Sequence, residues 1–255
     1  MGRFFPYANP EQIINNMKEN TAQTYNNTFD YPKQGARFFI NLILKELDTD
    51  RILLNSKVES VDLKRKRITV NGEEIEYKTL INTIPLNHFI KLIKGNEVKK
   101  DITSTLSCNK VLVFNLGFNK PPVDRSTHWT YIPMKDINFY RVGYYNNILG
   151  TAKLSMYIEI GFKEDDVIDE AKQLELTLSN LKRLGIITDH KLLSYNALVI
   201  NPGYVHITEE SNTRVMELKN TLKKNDVNTI GRYGGWTYCS IEDCMLEARR
   251  LAAAM

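Results

Sequence analysis

The sequence lacks several features that would place it in a common class of proteins. It has only three cysteines in 255 residues, Cys108, Cys239 and Cys244. Their odd number, without metal-ligand or redox spacing, predicts reduced thiols rather than a disulfide framework. No stretch reaches the roughly 18 apolar residues of a membrane span, and the first residues do not resemble a signal peptide. These absences predict a cytoplasmic protein.

A large excess of charge of one sign is also missing. The chain carries 34 basic and 30 acidic residues, a net charge of +4. A nucleic-acid surface needs basic residues clustered on one face, so no nucleic-acid partner is expected. The densest basic run, residues 64–67, lies between two strand-like segments and predicts a solvated hairpin turn.

The usual catalytic motifs are absent. The sequence has no nucleophile elbow, Walker loop, His-Glu-x-x-His or Cys-x-x-Cys, and its four histidines are scattered, so no metal site is expected. It also has no Gly-x-Gly-x-x-Gly, the turn that lets a backbone approach a pyrophosphate at a helix start. A self-sufficient dinucleotide-binding enzyme is therefore not expected.

Hydrophobic periodicity predicts a mixed α/β (α+β) fold, in which an antiparallel mixed sheet of about six strands is flanked by helices. The predicted helices cover residues 9–18, 35–47, 86–93, 165–184, 209–224 and 241–255. The predicted strands cover residues 52–54, 57–63, 67–70, 74–77, 80–84, 110–118, 128–133, 138–143, 152–160, 192–200 and 228–231. Local signals mark a helix start at Asn9, a hairpin at Asn71-Gly72, a helix end at Gly185, and a capping box of Ser240 with Asp243.

Two segments have the composition of binding sites. In residues 128–141, strand alternation puts Trp129 and Tyr131 on one face, and a hairpin could add Arg141 to this aromatic wall. Residues 231–243 form a strand, glycine turn and helix start that carry an arginine and aromatics, a setting suited to a negative or electron-rich ligand. Packed core aromatics and a tight structural turn remain the competing interpretations of these segments.

The order of these segments resembles the C-terminal two-thirds of the flavoproteins that include UDP-galactopyranose mutase, protoporphyrinogen oxidase-like proteins and flavin amine oxidases. The segments that carry the resemblance are residues 31–37, 52–61, 80–85 and 229–243. Trp129-x-Tyr131, Phe139-Tyr140-Arg141, and Arg232 with a tyrosine six positions later are similar to the mutase branch. Cys239 and Ser240 stand where mutases usually carry an acidic residue or asparagine, so the sugar specificity stays open.

The resemblance implies remnants of a Rossmann-like FAD-binding module within the chain. It assigns residues 1–51 to a helical substrate-side segment and residues 52–94 to a β-element and return strand of the FAD module. Residues 95–225 would form the antiparallel substrate-binding domain, and residues 226–255 a strand, turn and helix that contact FAD. A dinucleotide-binding segment or partner chain would supply the missing pyrophosphate site.

The resemblance also implies site residues. Arg141 and Arg232 would bind the diphosphate of a nucleotide sugar. Further substrate-binding residues would be Trp129, Tyr131, Tyr204 and Tyr238. Cofactor-binding residues would be Val58, Thr83, Gly231, Arg232, Ser240, Ile241 and Glu242.

The implied activity is ring contraction of a nucleotide sugar for polysaccharide synthesis, with reduced FAD as the nucleophile at the anomeric carbon. One alternative is an FAD-dependent amine or protoporphyrinogen oxidase. Another is a non-catalytic fragment that does not bind FAD by itself. The parent protein is thus expected to be an isomerase or oxidoreductase, and this chain alone is expected to be inactive.

Overall fold

The computed structural model describes residues 10–19 and 29–255, so the predicted cap Asn9 lies outside the described residues. The helices are α1 (Pro10–Glu19), α2 (Arg37–Lys45), α3 (Leu86–Leu92), α4 (Tyr145–Leu149), α5 (Glu170–Arg183), α6 (Glu209–Lys223), α7 (Gly231–Gly234) and α8 (Ile241–Ala253). The strands are β1 (Val58–Asp62), β2 (Arg67–Val70), β3 (Glu73–Glu76), β4 (Leu80–Asn82), β5 (Asn109–Phe118), β6 (Trp129–Tyr131), β7 (Arg141–Tyr144), β8 (Ser155–Lys163), β9 (Leu192–Ile200) and β10 (Val227–Thr229). The chain divides into two compact units, Met1–Leu54 and Asn55–Met255. The four segments expected from the resemblance remain a prediction.

The described part of the first unit holds α1, α2 and a 3-10 helix, Thr49–Arg51. The predicted strand at residues 52–54 is wrong. Asp48 caps the 3-10 helix by accepting a hydrogen bond from the Asp50 amide at 3.3 Å, and its carboxylate pairs with Arg51 at 3.1 Å. No strand in the described part of the chain pairs with residues 52–54, so their apolar sequence alone does not make a strand.

In the second unit, β1, β2 and β3 form an antiparallel three-stranded sheet. Asn71 and Gly72 have φ angles of 49° and 83°, the left-handed values of a tight hairpin turn, which confirms the predicted turn. The basic run at residues 64–67 connects β1 to β2 as predicted. Its charges are paired: Lys66 contacts Asp226 at 2.5 Å and Arg67 contacts Glu74 at 2.8 Å.

The largest sheet is antiparallel, with strand order β6-β7-β8-β5-β9. It has five strands rather than about six, and it confirms the predicted fold class. One face is apolar and packs with residues of α5 in a core. That core contains Leu112, Phe114, Leu116, Phe118, Val142, Met156, Ile158, Ile160 and Leu181.

Three elements of this layer begin at least three residues later than the sequence predicts, and one of them is β8, which starts at Ser155 rather than at residue 152. Helix α5 starts at Glu170 rather than at residue 165, because the Asp169 side chain accepts a hydrogen bond from the Lys172 amide at 3.0 Å and caps the helix there. Strand β7 starts at Arg141 rather than at residue 138. The Asn138 side chain instead bonds to α5, donating to Thr177 at 3.0 Å.

Strands β4 and β10 form a parallel pair, joined by a buried polar contact. Asn82 donates to the Thr229 hydroxyl at 2.9 Å, which in turn donates to the Gly234 carbonyl at 2.6 Å. The chain then turns through α7 into α8. Strand β10 ends at Thr229, two residues before the predicted end, because Gly231 adopts a φ of 79° and starts α7.

The predicted start of α8 is confirmed. The Asp243 amide donates to the Ser240 hydroxyl at 3.1 Å, and the Ser240 amide donates to the Asp243 carboxylate at 2.8 Å. Helix α6 starts in the same way, with Thr208 and Ser211 exchanging hydrogen bonds. These caps satisfy amides that have no acceptor within the helix.

Replacing Thr208 by alanine removes the acceptor for the Ser211 amide, which is 3.0 Å away. We expect the free energy of unfolding to fall by about 1 kcal/mol, the usual cost of losing a cap. Thr213→Ala, at an exposed position inside α6, is the matched control and should be neutral or slightly stabilising. Urea denaturation measures both, and equal stabilities for the two variants would contradict the capping role.

Candidate functional site

The strand register of the five-stranded sheet builds the candidate site. Residues opposite each other in antiparallel strands point to the same face. On the face away from the apolar core, one row across the sheet consists of Tyr131, Arg141, Glu159, Val113 and Leu198. The next row consists of Trp129, Gly143, Tyr157, Asn115 and Asn196. The polar face of β6, β7 and β8 therefore concentrates phenols around one arginine.

Arg141 is held by its cross-strand neighbours. Its Nη1 lies 3.3 Å from Glu159 Oε1, and its Nη2 donates to the Tyr157 hydroxyl at 2.8 Å. The guanidinium carbon also lies 5.6 Å from the ring centre of Tyr131, within cation–π range. The carboxylate of Glu159 also accepts a hydrogen bond from the Tyr140 hydroxyl at 2.5 Å. Arg141 Nε is buried and has no hydrogen-bond partner in the described part of the chain.

Burial sets the protonation of these groups. Loss of solvation raises the pKa of Tyr140, and the hydrogen bond to Glu159 raises it further. Burial also raises the pKa of Tyr157 and of Tyr204. For Arg141, burial by itself lowers the pKa, but attraction by Glu159 and the phenols outweighs this effect and leaves the pKa raised. Near neutral pH the phenols are therefore neutral hydrogen-bond donors, and the arginine is charged.

Tyr204 connects this cluster to the second arginine. It belongs to the connection after β9, where its amide donates to the Asn109 side chain at 2.7 Å. Burial raises the pKa of Tyr204, and Glu159, Tyr140 and Arg141 also shift it, so its hydroxyl lies near the first cluster. On the other side, the guanidinium carbon of Arg232 lies 5.5 Å from the Tyr204 ring centre.

Arg232 is positioned by the loop that leads into α8. Its Nη1 donates to the Cys239 carbonyl at 3.1 Å, and its guanidinium carbon lies 4.4 Å from the Tyr238 ring centre. The rings of Tyr238 and Tyr204 are stacked, with centres 6.3 Å apart. The structure thus places Arg232, Tyr238 and Tyr204 together, next to the Arg141 cluster.

The residues predicted for substrate binding therefore lie in one region, with Trp129 in the second row, across from Gly143. The predicted cofactor residues are more dispersed. Thr83 follows β4 and lies against Gly234, whereas Val58 belongs to the separate sheet of β1. Ser240 has its hydroxyl engaged in the α8 cap, and Ile241 and Glu242 are exposed in the first turn of that helix. The roles of all these residues remain predictions.

Sequence reasoning missed four residues that shape the region: Tyr157, Glu159, Gly143 and Asn109. The first three follow from register, because each lies directly across from, or beside, a predicted residue on a neighbouring strand. Alternation along β8 is visible in the sequence, but the pairing of β8 with β7 is not. Nothing local in the sequence indicates that Asn109 would hold Tyr204.

The described residues include neither a metal-ligand cluster nor a membrane-spanning helix. No group of three or more histidine, cysteine, aspartate or glutamate side chains there could hold a metal ion. No helix in residues 10–19 or 29–255 has the length and apolar character needed to cross a membrane.

Comparison with protein-family models and with curated proteins finds no match. Solved structures do match. A reduced UDP-galactopyranose mutase is similar over 89% of this chain and 52% of its own, with a TM-score of 0.80 and 21% identity. A protein described as a protoporphyrinogen oxidase from Exiguobacterium is similar over 95% of this chain and 58% of its own, with a TM-score of 0.71 and 11% identity.

A CLA-producing fatty acid isomerase from P. acnes is similar over 98% of this chain and 56% of its own, with a TM-score of 0.65 and 11% identity. The chain spans about half the length of these structures. The predicted resemblance is confirmed at the level of the fold, which these three proteins share with the chain.

Gly143 makes room for Tyr157, since a methyl group at position 143 would overlap the Tyr157 ring. We expect Gly143→Ala to displace Tyr157 from Arg141 and to lower the free energy of unfolding by about 1 to 3 kcal/mol, the usual cost of overpacking. Gly161→Ala on β8 is the control, because a methyl group there would meet the Tyr140 ring at an ordinary 3.8 Å. Urea denaturation compares the two variants. Equal stabilities would show that Tyr157 does not need the space at Gly143.

Proposed function

We propose that this region binds the diphosphate of a nucleotide sugar between Arg141 and Arg232, as the substrate side of an FAD-dependent enzyme of the UDP-galactopyranose mutase type. The observation that carries the proposal is that Arg232 lies against Tyr204, while Arg141 lies among Tyr131, Tyr157 and Glu159 in a cluster whose charges act on Tyr204. A diphosphate carries charge on both phosphates, so two cations and neutral hydroxyl donors suit it. Similarity to the mutase structure supports the same assignment.

Arg141 is prepared for such a ligand. Glu159 and Tyr157 fix the direction of its guanidinium, and its buried Nε lacks an acceptor in the described chain. A buried donor without a partner is costly, and a phosphate oxygen would satisfy it once the side chains that cover the Nε moved aside. Glu159 balances the charge of Arg141 when no anion is bound. Tyr131 and Tyr238, both well exposed, would donate further hydrogen bonds to the phosphate oxygens.

Arg232 fits the second phosphate. It uses one nitrogen to hold the Cys239 carbonyl, which fixes the guanidinium while leaving its other donors for a ligand. Its stacking on Tyr238 orients the planar group. Fixing an arginine before the ligand arrives reduces the entropy lost on binding.

Among the predicted cofactor residues, those at the start of α8 suit one edge of a flavin. The first-turn amides of α8, those of Ile241 and Glu242, have no acceptor within the helix and face an exposed surface, so they would meet the flavin pyrimidine edge. When bound, reduced FAD would supply the nucleophile for ring contraction of the sugar. The residues of this chain would orient the sugar nucleotide and neutralise its diphosphate.

A dinucleotide-binding segment outside this sequence would complete the FAD site, in the same polypeptide or in a partner chain. Two observations support it. The sequence has no glycine-rich pyrophosphate turn. In the described chain β4 and β10 each pair with one strand only, although parallel sheets are normally larger and covered on both faces. Ile81 and Ile84, at this small sheet, are 44% and 42% exposed.

A flavin oxidase that acts on an amine or a protoporphyrinogen is the second candidate, because the chain is also similar to the protoporphyrinogen oxidase structure. Such a substrate carries no diphosphate and would not need paired arginines. Binding of UDP therefore separates the two candidates.

The diphosphate proposal predicts that the purified chain binds UDP and that Arg141→Ala or Arg232→Ala weakens binding by about 1.5 to 3 kcal/mol, or roughly ten- to a hundredfold. Isothermal titration calorimetry measures the affinities. Arg183→Ala is the control, since Arg183 pairs with Asp136 on an exposed surface and should leave UDP binding unchanged. Equal UDP affinity in the wild type and both site variants would refute the proposal.

The cofactor proposal predicts that this chain by itself does not retain FAD. After incubation with FAD and gel filtration, we expect protein without visible flavin absorption, because no pyrophosphate-binding turn is present. Co-migration of flavin with the chain would contradict the need for another segment, without bearing on UDP binding.

A further inference from the structure

Two cysteines meet at the start of α8. Cys239 Sγ and Cys244 Sγ lie 3.5 Å apart. Cys239 directly precedes the cap Ser240, and Cys244 is the fourth residue of the helix. These are the two positions whose side chains contact each other in a hydrophobic staple, so the cap geometry itself brings the sulfurs together.

We propose that Cys239 and Cys244 form a redox-active dithiol, which closes to an intramolecular disulfide on reaction with a small-molecule disulfide such as oxidised glutathione.

Geometry favours this pair over the other pairings. A disulfide has an S–S bond of about 2.05 Å, so the sulfurs need to approach by only about 1.5 Å. Both cysteines are half-buried, and a small oxidant can reach them. Cys108 is buried, and its backbone bridges to Val205 in a different part of the unit. It therefore serves as an internal reference thiol.

The chemistry balances without a further reactant. The thiolate of one cysteine attacks the disulfide of oxidised glutathione, forming a mixed disulfide and releasing one glutathione thiolate. The second cysteine attacks the protein sulfur of that mixed disulfide, forming the Cys239–Cys244 bond and releasing the second glutathione. The two thiol protons end on the two glutathiones, which are reduced while the protein is oxidised by two electrons.

The environment of Cys239 affects the rate at which its thiol attacks a disulfide. Burial, together with Cys244, raises the pKa of Cys239 to about 11, with Asp243 adding to the rise and Arg232 opposing it. Since only thiolates attack disulfides, the reaction should be slow at neutral pH and faster in mildly alkaline buffer.

The bond would restrain a loop that matters to the site. The Cys239 carbonyl is the acceptor for Arg232 Nη1, and Tyr238 stacks on the same guanidinium. Oxidation therefore fixes the segment that holds Arg232. The redox state of the two thiols would thus affect how firmly Arg232 is held in position.

The test uses the purified wild-type chain in mildly alkaline buffer with excess oxidised glutathione. After acid quenching, unfolding and alkylation, we expect one alkylated cysteine, Cys108, instead of three. Trypsin should release residues 233–249 as one peptide carrying both other cysteines, lighter than its reduced form by two hydrogen atoms. Cys244→Ser should stop at the mixed disulfide on Cys239, because the resolving thiol is gone.

The same reaction in urea is the control for the role of the fold. Closure of one intramolecular disulfide is governed by the concentration of oxidised glutathione divided by the square of the concentration of reduced glutathione. Folded protein should reach half oxidation at a value of this quotient at least about tenfold lower than unfolded protein, since the cap holds the sulfurs together. Three alkylated cysteines in the folded protein, or a persistent glutathione adduct in the wild type, would overturn the proposal. An equal midpoint in urea would equally overturn it.

Discussion

The candidate site depends on the register between β7 and β8. This pairing sets Arg141 opposite Glu159 and Gly143 opposite Tyr157. A shift by one residue would turn Arg141 into the apolar core and bring Val142 to the polar face. The core side prevents such a shift, because Val142 and Ile158 are fully buried there. The packing that stabilises the sheet is therefore also what assembles the polar side chains on its opposite face.

A partly buried ion pair is an expensive way to hold an arginine. The free energy needed to desolvate Arg141 and Glu159 can equal the free energy gained from their attraction. The ion pair is therefore weak evidence for a contribution to folding stability. Its geometry suits the proposed diphosphate site, where an anion would add a further partner for Arg141. Glu159 also accepts from Tyr140, so both oxygens are engaged, while Arg141 keeps one buried donor unused. A fully satisfied cluster would have no capacity left for an anion.

Local signals in the sequence predicted local structure well. The hairpin at Asn71-Gly72 and the box of Ser240 with Asp243 are each determined by a few neighbouring residues. The starts of α5 and β7 were wrong because Asp169 and the Asn138 side chain make hydrogen bonds that compete with the expected pattern. Glu159 could not be selected as a site residue from the sequence, since it becomes one only by lying opposite Arg141, 18 positions away, in the sheet. Periodicity predicted the mixed fold class, and the order of the segments added the resemblance to the flavoproteins, which periodicity does not show.

In the second unit, the five-stranded sheet is better covered than the parallel pair β4 and β10. The five-stranded sheet has a closed core and a polar face, whereas the parallel pair has only two strands and exposed isoleucines. Helix α8 has no buried residue, and its Ile241 and Met245 are also exposed. Exposed apolar surface of this kind normally marks an interface, and the residues proposed to meet a cofactor lie on or beside this surface. Arg232 lies at that border, directly after the parallel pair and against Tyr204 beside the large sheet. The surface proposed to face FAD and the proposed diphosphate site therefore meet at one guanidinium, which Tyr204 and Tyr238 orient.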